Sequence, residues 1–164
     1  MSESYREAVH KMCRVTLLHR YRISNSLSGL GIYRGQPEIL EYLKNHGDCS
    51  QRELAEHLGV TPASIATSIK RMSKAGFIER TPDEADRRIN RLRITAKGEK
   101  TREAGRAACD KTDSMMFSGF SDGEIKIFSD MLSRIVKNLS YDGISEKDVI
   151  NMIKNHRTGD DKND

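Results

Sequence analysis

The sequence predicts a mainly α-helical fold with one small β-hairpin, and three observations predict it. Apolar residues recur at helical spacing through most of the chain. Paired start and stop signals divide that pattern into separate helices. One short stretch, RLRIT (91–95), alternates instead: Leu92 and Ile94 are apolar, while Arg91, Arg93 and Thr95 are not. The 164 residues suit a single domain, and at 36% hydrophobic and 32% charged they can form a core with little apolar surface to spare.

The first helix is expected over about residues 4–30, where Tyr5, Val9, Met12, Ile23, Leu27 and Leu30 keep helical spacing and Gly29 and Gly31 loosen the end. In GQPEILEYLKNHG, Pro37 suits a first helical position, Ile39, Leu40 and Leu43 supply an apolar face, and Gly47 is a stop. The next stretch, CSQRELAEHLGVTPASIATSIKRMSKAGFIER, holds two helices. Ser50 and Glu53 form a capping box, which satisfies two orphan N–H groups at a helix start. Leu54 and Leu58 face inward one turn apart, and Gly59 can take the left-handed conformation that ends the helix. Thr61 is the next N-cap, with Pro62 at the first helical position and Gly76 beyond the end. Two short helices joined by a tight turn containing glycine are a helix-turn-helix pattern.

At about 100° per residue, Ile65, Ile69 and Met72 fall on the buried side of the second helix. Ala63, Thr67, Lys70 and Lys74 lie opposite, with Ser64 and Arg71 on a flank. That face is small near its N-terminus, so it can approach a groove floor. It is basic further along, where cations can reach phosphates or guanine edges. An ordinary solvated helix face accounts for the same residues equally well. The candidate DNA contacts are Ser50, Gln51, Pro62, Ala63, Ser64, Thr67, Ser68, Lys70, Arg71, Lys74, Arg87, Arg88 and Arg91.

Strands FIERT (77–81) and RLRIT (91–95) flank a polar loop, and a hairpin straight after a helix-turn-helix makes a winged helix. Arginines on such a wing can enter a minor groove, whose negative potential favours guanidinium. Asp86 lies two residues from Arg88, so in extended backbone the carboxylate can hold the guanidinium by charge-assisted hydrogen bonds. Asp83 and Glu84 need no role beyond keeping the loop soluble. After Thr95, a cap, a long helix runs to about Phe117. A capping box at Ser121 and Glu124 then opens an apolar seam of Ile125, Phe128, Leu132, Ile135, Val136 and Leu139. A short last helix opens with Ser145 and Asp148. A small winged helix offers little for these flanking helices to pack on, so their seams are expected to pair two copies of the chain.

The net charge is +4, but residues 61–100 hold ten basic residues against five acidic, so the positive charge is focused where nucleic acid would lie. The three cysteines, Cys13, Cys49 and Cys109, form no CxxC pair and no disulfide framework. They are expected to be reduced thiols, with a redox sensor at Cys13 as the sharper alternative. The five histidines include no HExxH and no i, i+4 pair, and no catalytic set or glycine-rich phosphate loop stands out, so neither an enzyme nor a metal or other cofactor is expected. There is no apolar run of about 18 residues or more and no apolar stretch near the charged N-terminus, which predicts a cytoplasmic protein.

In ordered set, Leu54-Ala55, the spaced aliphatics after it, Gly76-Phe77-Ile78-Glu79-Arg80, Asp86-Arg87-Arg88 and Ile94-Thr95-Ala96-Lys97-Gly98 resemble the MarR family of transcription regulators. The resemblance covers roughly residues 30–105, and Ile94 in place of the usual Leu is a mild departure. It implies a winged helix-turn-helix core at about 36–98, flanked by dimerisation helices at about 4–30 and 96–157, in one domain over 1–157 with a polar tail at 158–164. It also implies a homodimeric repressor on a palindromic operator, with recognition helices in successive major grooves and half-sites roughly 10 bp apart. By the match Arg88 is the wing arginine and Asp86 its anchor. Family members often release DNA on binding a small aromatic or anionic effector, for which no local motif marks the residues. A thiol switch at Cys13 and a winged helix serving protein contacts are the alternatives. The basic outward face of the second helix argues against the latter.

Overall fold

The computed structural model describes residues 3–84, 86–87, 89–140 and 148–149. Most of the expected last helix beginning at Ser145, the polar tail and Arg88 lie outside the described residues. Among the described residues, six helices and three short strands follow in the order α1 (Glu3–Gly29), α2 (Gln36–His46), β1 (Cys49–Ser50), α3 (Gln51–Leu58), α4 (Pro62–Lys74), β2 (Ile78–Pro82), β3 (Asn90–Ile94), α5 (Ala96–Met116) and α6 (Asp122–Leu139). The strands form one antiparallel sheet of order β1-β3-β2, with Cys49 opposite Leu92 and Arg80 also opposite Leu92 from the other side.

The caps stand where sequence chemistry puts them. Ser50 and Ser121 each close a reciprocal capping box with Glu53 and Glu124. Thr61 and Thr95 accept from the backbone N–H groups of Ser64 and Gly98. Gly59 ends α3 in the left-handed conformation. One expectation shifts by a residue: α2 begins at Gln36, so Pro37 is not its first residue. β1 is absent from the sequence-based expectation, because two residues carry no alternation of their own. β3 supplies its partner, and Cys49 is buried by the pairing.

Among the described residues, the buried apolar side chains run from Leu27 to Leu92, with Ile23 and Ile94 packed against them. Leu40, Leu54, Ala55, Ile69 and Met72 are fully buried, with Ile32, Ile39, Leu43, Ile78 and Leu92 almost so. Each such large side chain contributes about 1.5–3 kcal/mol through burial. The face of α4 that holds Ile65, Ile69 and Met72 is thereby fixed inward, and its opposite face must look out. α5 closes over this core by a backbone approach that only glycine permits. A Cβ on Gly98 would stand 2.0 Å from the Phe77 carbonyl oxygen. At the same junction the Thr95 hydroxyl donates to the Gly76 carbonyl at 2.7 Å, which ties the end of the hairpin to the exit of α4.

The outer helices are different in kind. α6 buries none of its own residues, and Ile127, Phe128, Met131, Ile135 and Leu139 stay exposed along it. On α1, Tyr5, Val9, Met12, Val15, Leu17, Leu18 and Tyr21 are exposed as well. No helix among the described residues is long and apolar enough to cross a membrane.

Candidate nucleic-acid interface

α4 presents Pro62, Ala63, Ser64, Thr67, Lys70, Arg71 and Lys74 to solvent, and Ser68 is half-buried. These are the outward residues expected from helical periodicity. Their chemistry is not uniform. The Ser64 hydroxyl donates to the Thr61 carbonyl at 2.8 Å, so it supports the first turn of the helix. Thr67, Lys70 and Lys74 make no side-chain hydrogen bond or ion pair among the described residues. The guanidinium carbon of Arg71 lies over the Tyr33 ring, 5.3 Å from its centroid, a cation–π contact.

Three residues expected as DNA contacts also make contacts within the fold. Ser50 is the N-cap of α3 and pairs in the sheet opposite Arg91. The Gln51 side-chain amide donates to the Pro62 carbonyl at 2.7 Å and bridges the start of α3 to the start of α4. Arg91 donates through Nε to Asp83 Oδ2 at 2.6 Å and through its terminal nitrogen to Glu53 Oε2 at 3.1 Å. That same Glu53 oxygen accepts from the Ser50 N–H at 2.6 Å. The capping-box glutamate is thus also the clamp between α3 and the hairpin. Hydrogen bonds from Ser50, then the nearby Arg91 charge, hold its carboxyl below the ordinary range.

Asp83, expected to do no more than keep the loop soluble, is corrected by the structure. Its side chain is only 12% exposed and engages Arg91, and its Oδ1 also accepts from the Asp86 N–H at 3.0 Å. The Asp83 N–H donates to the Ile89 carbonyl at 2.9 Å, and the Ile89 N–H to the Asp86 carbonyl at 2.9 Å. These bonds fold the wing tip and leave Arg87, Ile89 and Asn90 exposed on it. The Asp86 N–H and carbonyl thus both help to fold the wing. The Asp86–Arg88 pairing expected from spacing involves a residue outside those described. At the other edge, Arg93 Nε sits 2.8 and 2.9 Å from the two Asp48 oxygens, and this guanidinium is the main cause of the lowered Asp48 carboxyl.

Sequence reasoning passed over two residues of this surface. Arg80 is exposed on β2 and lines a cleft of about 310 Å³ with Arg52, Gln51 and Asn90 beside the N-terminus of α3. Its place in a five-residue strand was the available signal. Tyr33 had no signal, because its contact with Arg71 joins the α1–α2 corner to α4.

Away from this surface, a cleft of about 640 Å³ lies beside α1 and the α1–α2 corner, lined by Leu17, Tyr21, Ile23, Leu27, Arg34 and Glu38 among others. A second, of about 250 Å³, lies between α1 and α5 among Val15, Leu18, Arg22, Met115 and Met116. On its wall His19 Nε2 meets Asp113 Oδ1 at 2.7 Å. His46 and His57 are exposed as expected and both pack against Tyr42, with centroids 4.3 and 4.4 Å away. Cys13 is exposed on α1. Burial pushes the Cys49 thiol up to about 11 and raises Cys109 too. Among the described residues no group of three or more His, Cys, Asp or Glu is arranged to hold a metal ion.

Comparison with known proteins places this surface. The MarR family model matches residues 32–89, which run from the α1–α2 corner to the wing tip. The chain is 32% identical over 121 residues to the uncharacterized HTH-type transcriptional regulator YybA of Bacillus subtilis, covering 73% of this chain and 81% of that one. It is 33% identical over 107 residues to the HTH-type transcriptional regulator BilQ of Clostridium symbiosum, covering 65% and 74%. The fold is shared with the crystal structure of YusO from Bacillus subtilis at a TM-score of 0.72 and 21% identity, covering 84% of this chain and 99% of that one. It is shared too with a MepR mutant of S. aureus bound to an oligodeoxyribonucleotide, at a TM-score of 0.63 and 22% identity, covering 85% and 99%. With a basic outward face on the second helix of its helix-turn-helix, a folded wing behind it and these relatives, the chain belongs to the MarR family of DNA-binding transcription regulators.

Proposed function

We propose that the protein is a homodimeric repressor that reads a palindromic operator. In this reading α4 enters the major groove and the wing lies against the flanking minor groove or backbone. A small aromatic or anionic effector, bound in the cleft beside α1, releases the DNA. The observation that carries the reading is the outward face of α4, where Thr67, Lys70 and Lys74 stand exposed with their polar groups uncommitted among the described residues. Small residues at its N-terminal end permit close approach, and cations further along suit phosphates. Support for a second copy comes from the apolar residues left exposed on α1 and α6, more than a single protomer gains by showing to water. For the effector, the support is the apolar cleft with Arg34 at its edge. Proteins of this fold have been crystallised with 2,4-dichlorophenol and with heme, so the fold admits planar ligands.

Selection of bound sites from a random duplex library tests the reading. A palindrome with half-sites about one helical turn apart is the expected result. Salt-sensitive binding with no enriched sequence would reduce the protein to a non-specific binder, and no binding would favour the protein-contact alternative. Arg88→Ala is expected to flatten the salt dependence by about one counterion per half-site.

A further inference from the structure

The α1–α2 corner carries an aromatic residue that the fold does not need for its core. Tyr33 follows the buried Ile32, yet its own side chain is 48% exposed. The corner is held by Gln36, a polar residue only 1% exposed. Gln36 Oε1 accepts from the Tyr33 N–H at 3.0 Å, and the Gln36 N–H donates to the Tyr33 carbonyl at 2.9 Å. A buried amide engaged in this way fixes the backbone of Tyr33, since displacing it would strand a polar group away from water. The ring projects from this fixed backbone, and the Arg71 guanidinium carbon lies 5.3 Å from its centroid.

We propose that Tyr33 is a positioning residue for DNA reading, which holds Arg71 of α4 in place before DNA arrives. The proposal rests on α4 being the reading element. Its physical basis is the way each kind of partner uses a guanidinium. A carboxylate takes N–H donors and cancels charge, as Asp83 and Glu53 do for Arg91. An aromatic ring carries no charge and no carboxylate oxygen, so it does not cancel the cation or take its donors in strong hydrogen bonds. The contact therefore orders a long side chain while its charge stays available to a phosphate or a guanine edge. Ordering it in advance reduces the entropy lost on binding. The same corner faces the cleft through Arg34 and Gly35, so a ligand that displaced the corner would withdraw the ring from Arg71.

The test is a double-mutant cycle on the duplex that the wild-type protein enriches from the random library, read by fluorescence anisotropy. The variants are Tyr33→Phe, Tyr33→Leu, Arg71→Ala and the double variant Tyr33→Leu with Arg71→Ala. Tyr33→Phe keeps the ring and should keep the affinity. Tyr33→Leu should weaken binding by roughly two- to fivefold per half-site, the range of an exposed cation–π contact. Its salt slope should not change, because no charge is removed. In the Arg71→Ala background, Tyr33→Leu should have no further effect. That last readout is one a merely structural tyrosine would not give. Additive losses would overturn the proposal, and so would a Tyr33→Leu protein that binds as well as wild type. An Arg71→Ala protein that binds normally would overturn it together with the role of Arg71. If no duplex is enriched, the operator reading fails. The same cycle on a mixed-sequence duplex of about three helical turns then decides the role of Tyr33 separately.

Discussion

The cations of α4 and the cations at the base of the hairpin differ in what surrounds them. Lys70 and Lys74 extend from α4 with no partner among the described residues, and Arg71 rests on a ring face. Arg91 and Arg93, on β3, are held by carboxylates: Asp83 and Glu53 for the first, Asp48 for the second. All five contribute equally to the formal charge of the sequence. The first group has no carboxylate beside it among the described residues, whereas the charge of the second is partly balanced where it stands. The second group builds the platform, fastening the hairpin to α3 on one side and to the α2–β1 turn on the other. Charge counted along a chain thus overstates the charge a nucleic acid can meet.

The largest expected effect is on α4. Replacing Lys70 and Lys74 together by Ala should lower operator affinity on the order of 10²–10³-fold at physiological salt in a two-half-site complex. The salt slope should fall by about 0.9 for each phosphate that is no longer neutralised. Thermal stability should hardly change, because both side chains are exposed and neither is paired among the described residues. A fall in affinity with an unchanged slope would show that these lysines do not meet phosphates.

Arg91→Ala comes next and should behave in the opposite way. It removes the charge-assisted hydrogen bonds to Asp83 and Glu53 that fasten the hairpin to α3. A lower denaturation midpoint is the expected result. Operator affinity should drop modestly as the wing loosens, with the salt slope intact. If the slope falls as it does for Lys70 and Lys74, the division between reading and platform cations breaks at this residue. Arg93→Ala should lower the midpoint less, because its side chain is 55% exposed and such pairs are weak.

Much of this is legible in the sequence, for a physical reason that also marks where legibility stops. Caps and periodicity are local: Ser50 with Glu53, Thr61 with Pro62, and Ile65, Ile69 and Met72 at helical spacing need only their own neighbours to be understood. The buried and exposed faces of α4 follow directly. Partnerships across the fold do not. Asp83 engages a residue eight positions on and, through Arg91, the capping box of α3. Nothing in the sequence signals that the Gln51 amide donates to the Pro62 carbonyl eleven positions on. β1 and the Tyr33–Arg71 contact exist only once distant segments have met.

The smallest expected effect is a pH dependence confined to the platform. Asp48 and Glu53 have carboxyls lowered from ordinary values of 3.8 and 4.5, chiefly by hydrogen bonds from Arg93 and from Ser50 respectively. A lowered carboxyl adds stability that is fully present above its unfolded value and is lost as pH falls through its folded value. Both carboxylates are partly exposed, so solvent screens them and the contribution is small. Between pH 7 and 5 the hairpin should hold, and below about 4 it should loosen ahead of the core. Hydrogen exchange can follow the Arg91 and Arg93 amides of β3 against those of Ile69 and Met72 in α4. Loss of protection in β3 first would separate platform from core. Simultaneous loss would mean that the carboxylate clamps are no weaker a part of the fold than the apolar packing behind them.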